Sequence, residues 1–380
     1  MAEKTTDKTK FWTRSKKVLF RCAGTVNGIL SWRDWRNATT WRHSAQIVFV
    51  LLNIYLCAAF YLWVRHFETG ATGAPPMRPE GVEGWLPIAG LMNLKYTLVT
   101  WEIPQTHTAA MILLVTFLLI ALFLKKSFCS WLCPVGTLSE MLWRLGKRAF
   151  KQNIYPPRWL DIPLRSLKYV LMVVFLYLVI TMPAETIAAF MITPYGTIAD
   201  VKMLNFFRFI GATALITIIV LMTLSVVIPN FWCRYLCPYG ALLGWLSLLS
   251  PFKVRRDADA CIDCGKCAKV CPARLPMDRK PCIRSAECTA CLSCVEACPA
   301  RDALQFSLPP KRIVAVNGDS DKIARRWRRR KLSGIAITIA LLSIIGCSIG
   351  AARLTGYWHS QVPEWVYQEL IPRAQMLGHP

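Results

Sequence analysis

Two copies of one cysteine pattern stand in this chain, Cys261-x2-Cys264-x2-Cys267-x3-Cys271-Pro272 and Cys288-x2-Cys291-x2-Cys294-x3-Cys298-Pro299. Three thiolates at two-residue intervals can wrap three corners of one cubane, while the fourth, before proline, is carried off to the neighbouring cluster. The spacing therefore assigns Cys261, Cys264, Cys267 and Cys298 to one [4Fe–4S] cluster, and Cys288, Cys291, Cys294 and Cys271 to a second. Structural zinc sites are built from cysteine pairs, so two close triplets, each followed by Cys-Pro, point to iron–sulfur chemistry instead. Gly265 and Ala290 beside the ligands suit a close backbone approach to a cluster. Cys282, between the motifs, has no partner in the pattern.

A second pattern is also duplicated. Cys129-Ser130-Trp131-Leu132-Cys133-Pro134-Val135-Gly136 and Cys233-Arg234-Tyr235-Leu236-Cys237-Pro238-Tyr239-Gly240 are both C-x3-C-P-x-G, and each follows an apolar run. Such a duplication implies a repeat unit of about two spans. Positions i and i+4 share a helix face, so each copy presents two thiols together. If the halves face one another, Cys129, Cys133, Cys233 and Cys237 converge, either on a further iron–sulfur centre or as redox dithiols. Cys22, Cys57 and Cys347 have no partners in sequence.

The elements that must position these residues are mostly apolar. Of the 380 residues 54% are hydrophobic, yet the net charge is +24. Nucleic-acid binding is excluded as the source of that charge, because the cations lie in loops between apolar runs. Five runs approach the roughly 20 residues a bilayer-crossing helix needs: Ser44–Val64, Thr108–Leu124, Leu167–Met182, Phe209–Ile228 and Leu332–Ala351. Lys125 and Lys168 at the short second and third runs are expected to snorkel to the interface. The stretch Trp85–Trp101 is expected to lie at the interface rather than to cross. Alternate loops divide the 46 Lys and Arg as 39 against 7, which puts the N-terminus and the cysteine-rich loop in the cytoplasm and the C-terminus outside. The run Arg325, Arg326, Arg328, Arg329, Arg330, Lys331 fits an orientation lock that also meets anionic lipid.

The fold expected is an integral membrane α-helical protein of about five transmembrane helices with an internal two-span repeat and a small α+β bacterial-ferredoxin-like 2[4Fe–4S] insertion. Its parts are a basic segment 1–43, a four-helix membrane region 44–250, a ferredoxin-like domain 251–310, a basic linker 311–331, a last helix 332–351 and a tail 352–380. No cleavable signal is visible in the first part.

Together these motifs resemble the NapH-, NosR- and CcoG-like membrane-bound polyferredoxins. The segment Arg78-Pro79-Glu80-Gly81-Val82-Glu83-Gly84-Trp85-Leu86-Pro87-Ile88 is similar to that family's sequence after its first span, and the likeness runs from about Ser44 to Lys331. It implies a multi-pass protein of the bacterial inner membrane that passes electrons between the quinone pool or a cytoplasmic donor and a respiratory or metal-maturation partner. NosR-like members carry an outer flavin domain, for which this chain leaves no room, although Thr69-Gly70-Ala71-Thr72 resembles a flavin-attachment tetrad. CcoG-like members end in a β-domain, and the 29 residues after the last run are too few for one. The short NapH-like or YccM-like members match best.

Haem is not expected, since His43, His66, His107, His359 and His379 lie at span ends or in the tail. Trp85, Tyr96 and Trp101 read as an interfacial aromatic belt rather than a quinol pocket. Glu83, Glu102, Glu185 and Asp200 face outside, where they could accept quinol protons or simply be solvated. The aromatic tail from Gly356 is expected to lie on the membrane surface. Other readings of the chain are an accessory metal reductase or cofactor-maturation protein, and a redox sensor. Whether it is an enzyme, as a quinone-linked oxidoreductase partner, is left open.

Overall fold

The apolar runs form the long helices of this computed structural model, which describes residues 38–71, 73–151, 153–300, 303–309, 311–312, 327–328 and 331–378. Cys22, Thr72, His379, most of segment 1–43 and the arginines of the basic run at 325, 326, 329 and 330 lie outside the described residues. The helices are α1 (Ala38–Glu68), α2 (Pro87–Thr100), α3 (Thr108–Leu124), α4 (Phe128–Trp131), α5 (Pro134–Phe150), α6 (Arg158–Thr181), α7 (Ala184–Ile192), α8 (Pro194–Thr197), α9 (Ala199–Arg208) and α10 (Ala212–Val227). After them come α11 (Pro238–Leu246), α12 (Lys266–Lys269), α13 (Ser293–Glu296), α14 (Gly334–Leu354) and α15 (Glu364–Leu370).

Among the described residues four helical stretches are long and apolar enough to cross a bilayer: α1, α3 extended through α4, most of α6, and α14. A fifth is available if α9 and α10, bent by 81° across their junction, count as one broken span. The continuous run expected at Phe209–Ile228 is thus a 16-residue helix entered through extended Gly211. The α3 stretch is the axis of the fold, with 61% of its apolar window buried against 17% for the other three. Those three turn apolar faces outward: Ile47, Val48, Leu51, Ile54, Tyr55 and Leu62 on α1, and Val170, Val173, Val174, Tyr177 and Ile180 on α6. An outward apolar stripe at helical spacing is a lipid-facing surface. Helix α2, with 14 residues, is shorter than a crossing. It lies against α3, where the hydrogen of Gly90 faces the Ala110 carbonyl so closely that a Cβ would come within 2.7 Å of its oxygen.

The cysteine-rich insertion is closed at its base by β1 (Lys253–Arg256) and β2 (Leu304–Ser307), antiparallel with Val254 opposite Phe306. A second short pair joins β3 (Lys311–Arg312) to β4 (Trp327–Arg328). The core of the insertion (Val254, Leu275, Met277, Ile283, Leu292, Phe306) is continuous with Ile120, Leu124, Trp131, Ile337 and Leu341 of the helical part. One hydrophobic core thus serves both parts.

Two expectations are corrected here. Lys125 and Lys168 do not snorkel. Both are fully buried, and they clamp the insertion, Lys125 Nζ donating to Ser285 O at 2.7 Å and Lys168 Nζ to both Glu287 carboxylate oxygens at 2.7 Å. The tail does not simply lie flat either. Tyr367, Ile371 and Ala374 are buried against Phe60, Trp63, Val64 and Phe67 of α1, and only part of it, such as Trp365, stays exposed.

Candidate iron–sulfur and cysteine sites

Both ferredoxin-type motifs have the same unusual backbone. Asp263 (φ 47°) and Gly265 (φ 66°) in the first correspond to Ala290 (φ 50°) and Leu292 (φ 59°) in the second. In each, the second and fourth residues after the leading cysteine are left-handed, and a four-residue helix follows, α12 or α13. Three of these four residues carry a Cβ, at a cost of about 1–2 kcal/mol each. Alternation of this kind turns successive N–H groups inward as an anion-binding nest, the backbone arrangement found around iron–sulfur groups. That both copies accept the strain is the best sign that the residues fit such a group.

The thiols gather accordingly. Cys271, Cys288, Cys291 and Cys294 line one cavity of about 20 Å³, walled by Val254, Leu275, Met277, Ala290 and Leu292. Cys271, carried in by the first motif, thus lies with the triplet of the second. Cys267 is in electrostatic reach of Cys298, the complementary exchange. Burial pushes the Cys271 thiol up to about 12, against the backbone hydrogen bond at Leu275, and raises Cys288 and Cys294 as well. Sites that hold thiols this strongly protonated need a cation to bind as thiolates. The two sets differ in exposure. Cys264 is exposed and Cys261, Cys267 and Cys298 are half-buried, whereas Cys271, Cys288 and Cys294 are buried and Cys291 is half-buried. Cys282 lies 3.4 Å from Arg255 Nη1 and within electrostatic reach of Cys288.

The C-x3-C-P segments are not continuous helices. After α4 the chain breaks, and Cys133 becomes the N-cap of α5 with Pro134 at its first position. In the other copy a π turn, Trp232–Leu236, ends at Cys237, the N-cap of α11, with Pro238 first. The expected i, i+4 pairing on one face is therefore replaced by a helix break, for which proline supplies the reason: it has no N–H to lose at N1. Cys237 Sγ accepts the Gly240 N–H at 3.2 Å. Gly136 is required by close approach, since a Cβ there would lie 2.1 Å from the Cys129 carbonyl oxygen.

The four thiols nonetheless lie within electrostatic reach of one another. Cys233 is in electrostatic reach of Cys237, Cys133 and Cys129, and Cys133 of Cys237. Burial raises Cys133 to about 11, with the Gly136 N–H opposing it, and raises Cys233 further. The ring of Phe128 stacks on Phe117 at 4.0 Å and meets Tyr239 edge-on at 6.3 Å.

The two sites adjoin. A cavity of about 90 Å³ is lined by Cys129, Cys233 and Lys126 together with Cys291, Thr289 and Pro272. Around it Ser130 Oγ donates to Thr289 O at 2.6 Å, Trp131 Nε1 to Ala290 O at 3.2 Å, and Arg234 Nη1 to Pro272 O at 3.3 Å. Residues of the C-x3-C-P motifs thus hold the backbone of the second ferredoxin motif directly.

Of the outer carboxylates, Glu185 is exposed and Glu102 accepts from the Tyr96 hydroxyl at 3.0 Å. Glu83 and Asp200 are not solvated but buried, and both bind Arg78. His107 is buried too, bonded to Glu83 at 3.1 Å and to the Gly196 carbonyl at 2.9 Å. Trp101 is 87% exposed, as an aromatic belt residue would be. Sequence reasoning missed Lys126. Its only signal was a cation beside a cysteine motif at the end of an apolar run.

Fold and cysteine geometry define a helical membrane protein carrying a ferredoxin-type iron–sulfur module. Family models agree, a "4Fe-4S binding domain" matching residues 106–152 and again 210–257, and a "4Fe-4S dicluster domain" matching 253–299. YccM of Escherichia coli strain K12, described as an electron transport protein, is 52% identical over 359 residues, covering 94% of this chain and 97% of its own. The ferredoxin-type protein NapH of the same organism is 30% identical over 184 residues, 48% of this chain and 59% of its own. The regulatory protein NosR of Pseudomonas aeruginosa is 29% identical over 145 residues, 38% of this chain and 20% of its own. No solved structure matches. The chain belongs to the membrane-bound polyferredoxins of NapH and NosR type, in their short, YccM-like branch, and is an iron–sulfur electron transport protein.

Proposed function

We propose that this protein relays electrons across the face of the membrane between a cytoplasmic two-cluster module, the C-x3-C-P site and quinone or a respiratory partner. Bound [4Fe–4S] clusters would supply one-electron exchange. Cys261, Cys264, Cys267 and Cys298 would hold the outer one, and Cys288, Cys291, Cys294 and Cys271 the inner. Cys129, Cys133, Cys233 and Cys237 would hold a further iron–sulfur centre between the two membrane repeats. The chain's own part is to fix the order of these sites. It exposes Cys264 to a soluble partner, shields the inner set from water, and clamps that set onto the C-x3-C-P segments. The observation that carries the reading is the shared cavity, lined by Cys129, Cys233 and Cys291.

Protein purified anaerobically in detergent should contain more than the roughly eight irons and eight sulfides that two clusters account for. The excess should disappear in Cys129→Ser and Cys237→Ser. About eight irons, unchanged by those substitutions, would leave the C-x3-C-P cysteines as dithiols; four irons or zinc would overturn the cluster assignment itself. The orientation has its own check. The cation distribution puts the cysteine-rich insertion inside, so alkaline phosphatase fused after Leu377 should be active and the same enzyme fused after Pro251 inactive. The reverse pattern would invert the topology.

A further inference from the structure

Lys126 is a buried ammonium that nothing described so far employs. It is 3% exposed, in the short 3-10 turn between α3 and α4. The charges within its reach are Cys129, Glu287, Cys237 and Cys233. Its Nζ lies 3.5 Å from where a Cβ on Gly240 would stand, and the Cys237 sulfur lies 3.4 Å from that same point. Glu287, the carboxylate beside it, is already shared, taking both bonds of Lys168 at 2.7 Å and one from the Tyr169 hydroxyl at 3.1 Å. Glu287 directly precedes Cys288. With Lys125 and Lys168 also buried within reach of Lys126, three ammonium groups and one carboxylate leave unmatched positive charge next to the four thiols.

A buried charge is retained where an opposite charge offsets its desolvation. Four thiolates around an iron–sulfur core form a net negative group, and one added electron makes it more negative. We propose that Lys126 sets the charge of the C-x3-C-P site, stabilising the reduced state of the metal centre there and so raising its potential. This rests on the reading that the site holds such a centre. Lys126 acts through the thiolates and is a positioning residue. Glu287 and Lys168 form the link by which the same charge network touches the second ferredoxin motif.

The test is an EPR-monitored redox titration of the full-length protein in detergent, comparing wild type with Lys126→Met, Lys126→Gln and Lys126→Arg. Dithionite is the reductant, and each step adds one electron to the centre. The neutral variants should retain their iron and show a lower midpoint for the C-x3-C-P signal, with smaller shifts in the two ferredoxin signals. Lys126→Arg should restore the midpoint. An unchanged midpoint with iron in place overturns the role of Lys126 and leaves the centre standing. An equal shift of all three signals, or loss of the third centre from both neutral variants, also overturns it, since Lys126 would then act on the whole fold or on assembly. Wild-type protein with about eight irons and no third signal overturns this proposal together with the reading beneath it.

Discussion

Cys271→Ala is expected to cost the inner cluster while sparing the outer one, although Cys271 belongs in sequence to the outer triplet. Iron should fall by up to about four per chain, and the magnetic interaction between two reduced clusters should vanish from the EPR spectrum. The reason is placement: Cys271 shares its cavity with Cys288, Cys291 and Cys294. Double substitutions make the assignment decidable, because losses within one site do not add and losses at separate sites do. Cys271→Ala with Cys294→Ala should lose no more iron than Cys294→Ala alone. Cys271→Ala with Cys264→Ala should lose nearly all the iron of the insertion. If the first pair empties both sites and the second only one, the ligands are not exchanged and each motif serves its own cluster.

The experiment separates what was local in the sequence from what was not. Ligand spacing is a short-range property, so the two cysteine motifs could be read directly. The left-handed residues could be read at Gly265 and, more weakly, at Asp263, whereas Ala290 and Leu292 carry no residue-type signal for that conformation. The C-x3-C-P copies were legible as a repeat, but the helix break at the second cysteine was hidden by treating the motif as one helix. Proline after the cysteine was the clue. Partners distant along the chain could not be read at all. Lys125 finds Ser285 160 positions on, and hydropathy alone makes a lysine at the end of an apolar run look like an interfacial anchor. Arg78 likewise finds Asp200 122 positions away. The apolar runs did locate the long helices, since mean hydropathy over a span is a sum that survives tertiary packing. It could not show the bend between α9 and α10, which one extended glycine introduces.

Arg78→Met should be among the most damaging substitutions outside the cysteines. The guanidinium binds Glu80, binds Glu83 Oε1 and Asp200 Oδ2 at 2.8 Å each, and lies 5.6 Å over Trp63 and 5.7 Å over Tyr367. It thereby ties the segment after α1, the start of α9 and the C-terminal tail to one point. Glu83 and Asp200 are 1% and 0% exposed, so removing the cation strands two buried carboxylates, at a cost of about 3–5 kcal/mol. Unfolding in mixed detergent micelles should show that loss, and adding Asp200→Asn should recover part of it. A change below about 0.5 kcal/mol would place Arg78 among surface substitutions and sink the argument. The same cluster fixes a pH dependence. Burial alone would raise Glu83, but Arg78 and then His107 outweigh it and hold the carboxyl down at about 2. Its contribution is therefore complete above the ordinary carboxylate range and is lost as pH falls toward 2. Glu80 has the opposite sign. Burial outweighs Arg78 and lifts it to about 7, so the fold favours its protonated form and stability declines as pH rises from about 4.5 through 7. Glu80→Gln should abolish that decline and make the protein more stable than wild type at pH 8. A wild-type profile flat between pH 5 and 8 would show that Arg78 neutralises all three carboxylates together.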